Sequence, residues 1–221
     1  MTAGDSAQWD DLFVQELIPS VLTLVLGAWD RISKPVADEH EDETSLRLFS
    51  AMKRAKDRQR HFFLIRFQDM EVDTDLAKVT GRKDIVFFPP ANDEDIYFCL
   101  EAKRLNALVS GRRRSLAGEY VKKGMQRFLD RKYSRHVRHG GMLGYVLDGD
   151  VDGAMTNVAN AVRRHHENLR MKPPGEMRRS GVRPGDAHAK ETHHKRQDDP
   201  RLFRLHHLFV AGSQPCRPIA S

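Results

Sequence analysis

The hydrophobic positions fall into a short series of periodic segments. From Trp9 to Ile32 the residues Leu12, Phe13, Leu17, Val21, Leu24 and Val25 recur at helical spacing. That spacing predicts a helical arm, which Pro19 should kink or divide. Asp38 with Glu41 three residues on resembles a capping box, and Leu46, Phe49 and Met52 mark the buried face of a helix reaching about Asp57. His61 to Gln68, HFFLIRFQ, reads as a strand, followed by a polar connection containing Gly81. Asp84 to Phe88, stopped by Pro89 and Pro90, and Ile96 to Lys103 then predict an antiparallel hairpin.

After the basic loop SGRRRS, Ala117, Val121, Gly124 and Phe128 predict a helix over Leu116 to Tyr133. Met142 to Leu147 reads as a strand, and a further helix is expected near Val151 to Met171. Residues 172–200, with Pro173, Pro174 and Pro184 among many charged and His residues, have the composition of a flexible basic loop. Leu202 to Val210 returns as a strand, and the chain should fray after Gly212. The sum is a single α/β domain over 1–221: a helical arm (1–37), a core (38–171), the loop, and a C-terminal strand and tail (201–221).

Charge changes this picture in one region. The net charge is +6, but residues 1–50 hold 3 basic and 10 acidic side chains, leaving 34 against 21 for the remainder. Residues 101–140 alone carry 12 Lys or Arg against Glu101, Glu119 and Asp130. Such density attracts polyanions, although it also suits a solvated face. With only Cys99 and Cys216, neither a disulfide framework nor a four-Cys zinc site is supported, and a reducing, cytoplasmic setting is expected. The apolar stretch from Leu17 to Trp29 is too short for a bilayer, and the start, with Asp5, Asp10 and Asp11, does not read as an export signal. The His pairs 165–166, 193–194 and 206–207 match no zinc spacing and read as surface residues. The Phe residues of the strands read as core and not as a base-stacking platform.

The candidate chemistry lies in Glu101-Ala102-Lys103. Residues two apart share a strand face, so the carboxylate and the ammonium project together. If the hairpin forms, Asp84 meets them at one edge. Two carboxylates suit Mg²⁺, which keeps several waters and binds few protein ligands, and the Ala102 carbonyl offers a third. Lys103 would orient water or stabilise charge on phosphorus. The bland reading is an exposed ion pair.

This arrangement resembles the PD-(D/E)XK, or restriction-endonuclease-like, nuclease superfamily, with Asp84 in the aspartate position and Glu101-x-Lys103 as the signature. Lys83 stands where that motif often has Pro. The resemblance implies an αβββαβ core with a mixed central sheet flanked by helices, which matches the predicted element order. It also implies a Mg²⁺-dependent endonuclease acting on DNA, with Mn²⁺ able to substitute, in a restriction or anti-phage setting. An assisting Glu on the first core helix is assigned to Glu43, which lies one turn before Leu46 on the expected sheet-facing side, whereas Glu41 has a capping role. On the second helix Arg127 flanks the buried stripe, with Lys123 beside it, so both are candidate phosphate contacts together with Arg112, Arg113 and Arg114. A homodimer or a larger defence complex, and no membrane, complete the expectation. The competing class is a catalytically silent nucleic-acid-binding or assembly subunit whose acidic arm docks on a partner.

Overall fold

The computed structural model describes residues 13–59, 61–73, 77–90, 94–130, 132–134, 137–196 and 199–213. The beginning of the arm, Cys216 and the tail lie outside them. The fold is α/β: one mixed seven-stranded sheet with helices on both faces. Among the described residues no helix is long and apolar enough to cross a membrane.

The arm is a π-helical turn, Phe13–Leu17, leading into α1, Ile18–Trp29. Pro19 does not divide it. It occupies the first turn of α1, where a missing N–H costs nothing. α1 buries Ile18, Val21, Leu22, Leu24, Val25, Ala28 and Trp29, so it is core and not an exposed appendage. Trp29 Nε1 donates to the Ala211 carbonyl at 3.0 Å, and its ring stacks on Tyr145.

α2 spans Glu41–Gln59. Its buried stripe is Ser45, Leu48, Met52 and Ala55, whereas Leu46, expected inside, is half exposed. β1 (Leu64–Asp73) and β2 (Lys78–Phe88) form a long antiparallel hairpin, so the stretch around Gly81 is strand and not a polar connection. β3, Phe98–Leu105, pairs with β2 through only Ile85↔Leu100, Val86↔Cys99 and Phe87↔Phe98. A small hairpin, β4 (Ala107–Val109) with β5 (Arg112–Arg114), follows.

The helix α3 covers 117–129, and Tyr120–Met125 within it is wound as a π-helix. Gly124 lets α3 press against the sheet: a Cβ there would collide with the Met142 side chain and touch Lys103 Cγ. β6, His139–Val146, lies parallel to β3, and α4, Val151–Arg164, starts at an Asp150 cap that accepts from Gly153 N. α4 ends earlier than the expected Met171, and turns carry the chain to Arg170, whose φ is 51°.

The segment expected to be loop contains β7 (Arg178–Arg179) and a full strand, β8, Ala189–Arg196. β8 pairs antiparallel with β9, Asp199–Ala211, which lies parallel to β6. The spatial order is β1-β2-β3-β6-β9-β8-β7. Composition misleads here because the inward positions of β8 are Ala189, Thr192, His194 and Arg196, polar groups (Ala189 apart) that are buried because they find partners in the interior. Thr192 Oγ1 lies 2.7 Å from His194 Nε2 and 2.8 Å from His207 Nε2, His207 Nδ1 meets Tyr120 Oη, and His194 Nδ1 meets the Leu169 carbonyl. His139 and His206 stack 3.1 Å apart between ring nitrogens. Thus four histidines are core, and three of them, His194, His206 and His207, belong to the pairs read as surface residues.

Burial holds these histidines neutral, pushing His194 and His206 down to about 4 and His207 to about 3. Unfolding frees them to take up protons below their ordinary value of 6.5, so their contribution is complete above that pH and is lost as the pH falls. Denaturant midpoints should therefore drop between pH 7 and 5. Asp84 and Glu101, described below, pull the other way, and His206→Phe isolates the histidine effect. Its stability-versus-pH slope should be shallower by up to about 1.4 kcal/mol per pH unit; a slope parallel to wild type would refute the assignment. Separately, Gly124→Val should cost about 1–3 kcal/mol in chemical denaturation, because α3 cannot back away from Met142 without opening the core it shares with the sheet.

Candidate functional site

The β2–β3 ladder stops at Ile85↔Leu100, and the next residues are Asp84 and Glu101. Gln68, between the paired Phe67 and Asp69, has φ 50° and bends β1 opposite Asp84. Where the strands part, carboxylates take over the work of the missing ladder. Asp84 Oδ2 accepts from Ala102 N at 2.8 Å, and Glu41 Oε2, from the first turn of α2, accepts from Arg104 N at 3.0 Å. The opening left behind is a polar cavity of about 230 Å³, lined by Glu41, Asp84, Lys103, Arg127, Lys132 and Tyr133 among others.

Lys103 Nζ sits in the middle, 2.9 Å from Glu101 Oε1, 2.8 Å from Glu41 Oε1 and 2.5 Å from the Ala102 carbonyl. Arg127 Nη1 reaches Glu101 Oε1 and Tyr133 Oη, each at 2.8 Å, and Tyr133 Oη donates to the Arg82 carbonyl at 2.5 Å. Glu101 is fully buried, and its second oxygen, Oε2, is buried with no hydrogen-bond partner among the described residues. Burial accordingly excludes the exposed ion pair.

Burial, then the neighbouring Asp84 charge, pushes the Glu101 carboxyl up to about 7, although Lys103 and Arg127 oppose the shift. Asp84 is raised for the same first reason, burial. Burial disfavours the Lys103 ammonium, but Glu101, Glu41 and Asp84 outweigh it and hold Lys103 charged. Around the cavity Glu41, Asp42, Asp84 and the buried Glu101 face Arg82, Lys103, Arg127 and Lys132, so acidic and basic groups are equal in number.

The donor set suits a hard divalent cation. Glu101 Oε2 lacks a partner, Asp84 is close enough to raise the Glu101 pKa, and the Ala102 carbonyl faces the Lys103 ammonium. Among the described residues no three His, Cys, Asp or Glu side chains form a metal cage. Mg²⁺ needs no such cage, since one or two carboxylates with waters are its usual protein ligands.

Asp84, Glu101, Lys103 and Arg127 therefore come together, and Ala102 lies among them. Glu43 does not join them. It is exposed, whereas Glu41 reaches Lys103. At about 100° per residue Glu41 is in line with Ser45, Leu48 and Met52, so the true buried stripe points to it; Leu46 and Phe49 point elsewhere. Glu39 holds Thr44 Oγ1 at 2.5 Å near the helix start, which leaves Glu41 free for the site.

Arg112, Arg113 and Arg114 are exposed on β5, and none of them lines the cavity. Arg113 is ion-paired with Asp148, and it approaches Asp150. Lys123 also points away and pairs with Glu119 at 3.0 Å. Tyr133 and Lys132 line the cavity without having been singled out by the sequence pattern, because they lie past the end of α3 where periodicity carries no information. Lys83, which stands where the motif often has Pro, is buried, 2.5 Å from Glu71 and 3.0 Å from Asp69, over the Tyr97 ring. It ties β1 to β2 next to Asp84.

Compared with known proteins, the chain matches no family model, no curated protein and no solved structure, so its site stands on its own chemistry.

Proposed function

We propose that the protein is a Mg²⁺-dependent endonuclease of the PD-(D/E)XK type that hydrolyses phosphodiester bonds of DNA. The observation that carries this reading is the buried Glu101 carboxylate, one oxygen without a partner, in contact with Lys103 and Arg127, which line a polar cavity together with Asp84. The element order supports it: helix, three strands, helix, and a strand parallel to the third. That order is what the resemblance to the superfamily implies.

Asp84, Glu101 and the Ala102 carbonyl would hold the cation. When bound, it supplies Lewis acidity toward a phosphoryl oxygen and lowers the pKa of a water. The remaining roles fall to the chain's own groups. Lys103, held charged by its three acidic neighbours, donates to a phosphoryl oxygen as negative charge grows there. Glu41 fixes the direction of the Lys103 ammonium. Arg127 carries a second set of donors and, with Tyr133 bracing it, is placed to pair with the phosphate once Glu101 turns to the cation. Attack of water on phosphorus forms one P–O bond and breaks another, and the departing oxygen takes up a proton.

Purified protein with Mg²⁺ or Mn²⁺ should nick or linearise plasmid DNA. Asp84→Asn, Glu101→Gln and Lys103→Met should each lower the cleavage rate by about a hundredfold or more while remaining folded by circular dichroism. Glu41→Gln should lose activity and Glu43→Gln should not, which reads out the helix phase directly. If wild type cuts no faster than the Asp84 and Lys103 variants with either metal, the proposal fails.

A further inference from the structure

A second cavity, of about 180 Å³, lies toward the β7–β8 edge of the sheet, opposite the β1 edge. Its walls come from the segment after α4 and from β7, β8 and β9. Arg170, Lys172, Arg178 and Lys195 line it against one carboxylate, Glu176. Lys172, Arg178 and Lys195 are exposed and form no ion pair among the described residues. In this they differ from Arg113 and Lys123, whose charges are already matched by Asp148 and Glu119. The wall itself is well anchored: Arg170 Nη1 donates to the Leu129 carbonyl at 3.0 Å, and Lys195 N donates to the Arg170 carbonyl at 2.9 Å.

Between the two cavities lies the outer surface of α3. A shallow depression between α3 and the turns after α4 is lined by Lys122, Gln126, His165 and Arg170, with one carboxylate, Glu167. Arg170 also lines the second cavity, and Arg127, the residue after Gln126, lines the first. Arg127, Lys122, Arg170, Lys172 and Lys195 thus place cations at the candidate hydrolytic centre, on α3 and at the far edge, outnumbering Glu167 and Glu176. A row of separated cations is what a phosphate chain binds, because each neutralised phosphate releases counterions.

We propose that this surface is a track for the DNA backbone, with the second cavity holding a phosphate remote from the bond that is cut. The inference rests on the nuclease reading for its ligand, since continuity with a phosphodiester site selects DNA over other polyanions. Remote phosphates fix register along the duplex without touching the reacting atoms.

The test uses the full chain and a long labelled duplex, with binding followed by fluorescence anisotropy without metal over a range of salt. Lys122→Ala/Lys172→Ala/Lys195→Ala should bind at least about tenfold more weakly, and its salt slope should be shallower by about 0.9 for each phosphate no longer neutralised. Arg31→Ala/Lys53→Ala/Arg54→Ala, the same charge removed from α2 and the end of α1, should stay close to wild type. Hydrolysis of bis(p-nitrophenyl) phosphate with Mn²⁺, which needs only the first cavity, should be equal in all three proteins.

Equal weakening by both triple variants, or no weakening by the first, overturns the track. So does displacement of the duplex by poly-glutamate as readily as by unlabelled DNA at equal charge, since the surface would then be a general acid-binding face. If no protein hydrolyses the small ester or nicks plasmid DNA but the binding difference remains, the track stands on the binding alone and the nuclease reading falls.

Discussion

The rest of the structure depends on a fully buried carboxylate, Glu101, placed where two strands separate. Removing a carboxylate from water costs several kcal/mol after relaxation, and the attraction of nearby cations offsets that only with good geometry. Here Lys103 and Arg127 both contact the same oxygen, Oε1, and the other oxygen is left bare. A structure built only for stability would satisfy both oxygens or place a leucine there. The bare oxygen is a local conflict of the kind that functional sites retain.

The surrounding architecture keeps that conflict in place. β2 and β3 part at the level of Gln68, the positive-φ residue of β1, and there the Asp84 and Glu41 carboxylates occupy main-chain donors of β3. Lys83 anchors the bend through Asp69 and Glu71. On the other side Gly124 brings α3 within van der Waals reach of Lys103, so Arg127 and Tyr133 arrive from a rigid neighbour. Arg196, buried in β8, donates to the carbonyls of Tyr133, Ser134 and Val137 and so ties the site's outer wall to the sheet's far half. The buried histidine layer beneath that half is a second polar device, hydrogen-bonded except at His206 Nδ1 and held uncharged by burial.

Some of this was legible from the chain. The strand runs VFF and FCLEAK, with branched and aromatic residues, are correctly read as paired strands, and the two-residue period correctly puts Glu101 and Lys103 side by side. Other parts were not. β8 has no apolar alternation to reveal it, because Thr192, His194 and Arg196 face inward. Choosing between Glu41 and Glu43 required the phase of α2, and Leu46 misled because a half-exposed leucine looks like a core residue in one dimension. Arg112 to Arg114 advertise a polyanion site by density alone, yet the charge on Arg113 is matched by Asp148, far along the chain.

The sequence by itself determined what short-range physics can encode: side-chain period, helix spacing, turn residues, and the pairing of one carboxylate with one ammonium two residues apart. Only the tertiary structure decided which acid from α2 completes the cluster, which cations remain unmatched, and which polar side chains are interior. Those outcomes depend on distances between residues far apart in the chain, and desolvation and Coulomb energies are functions of such distances, not of sequence separation.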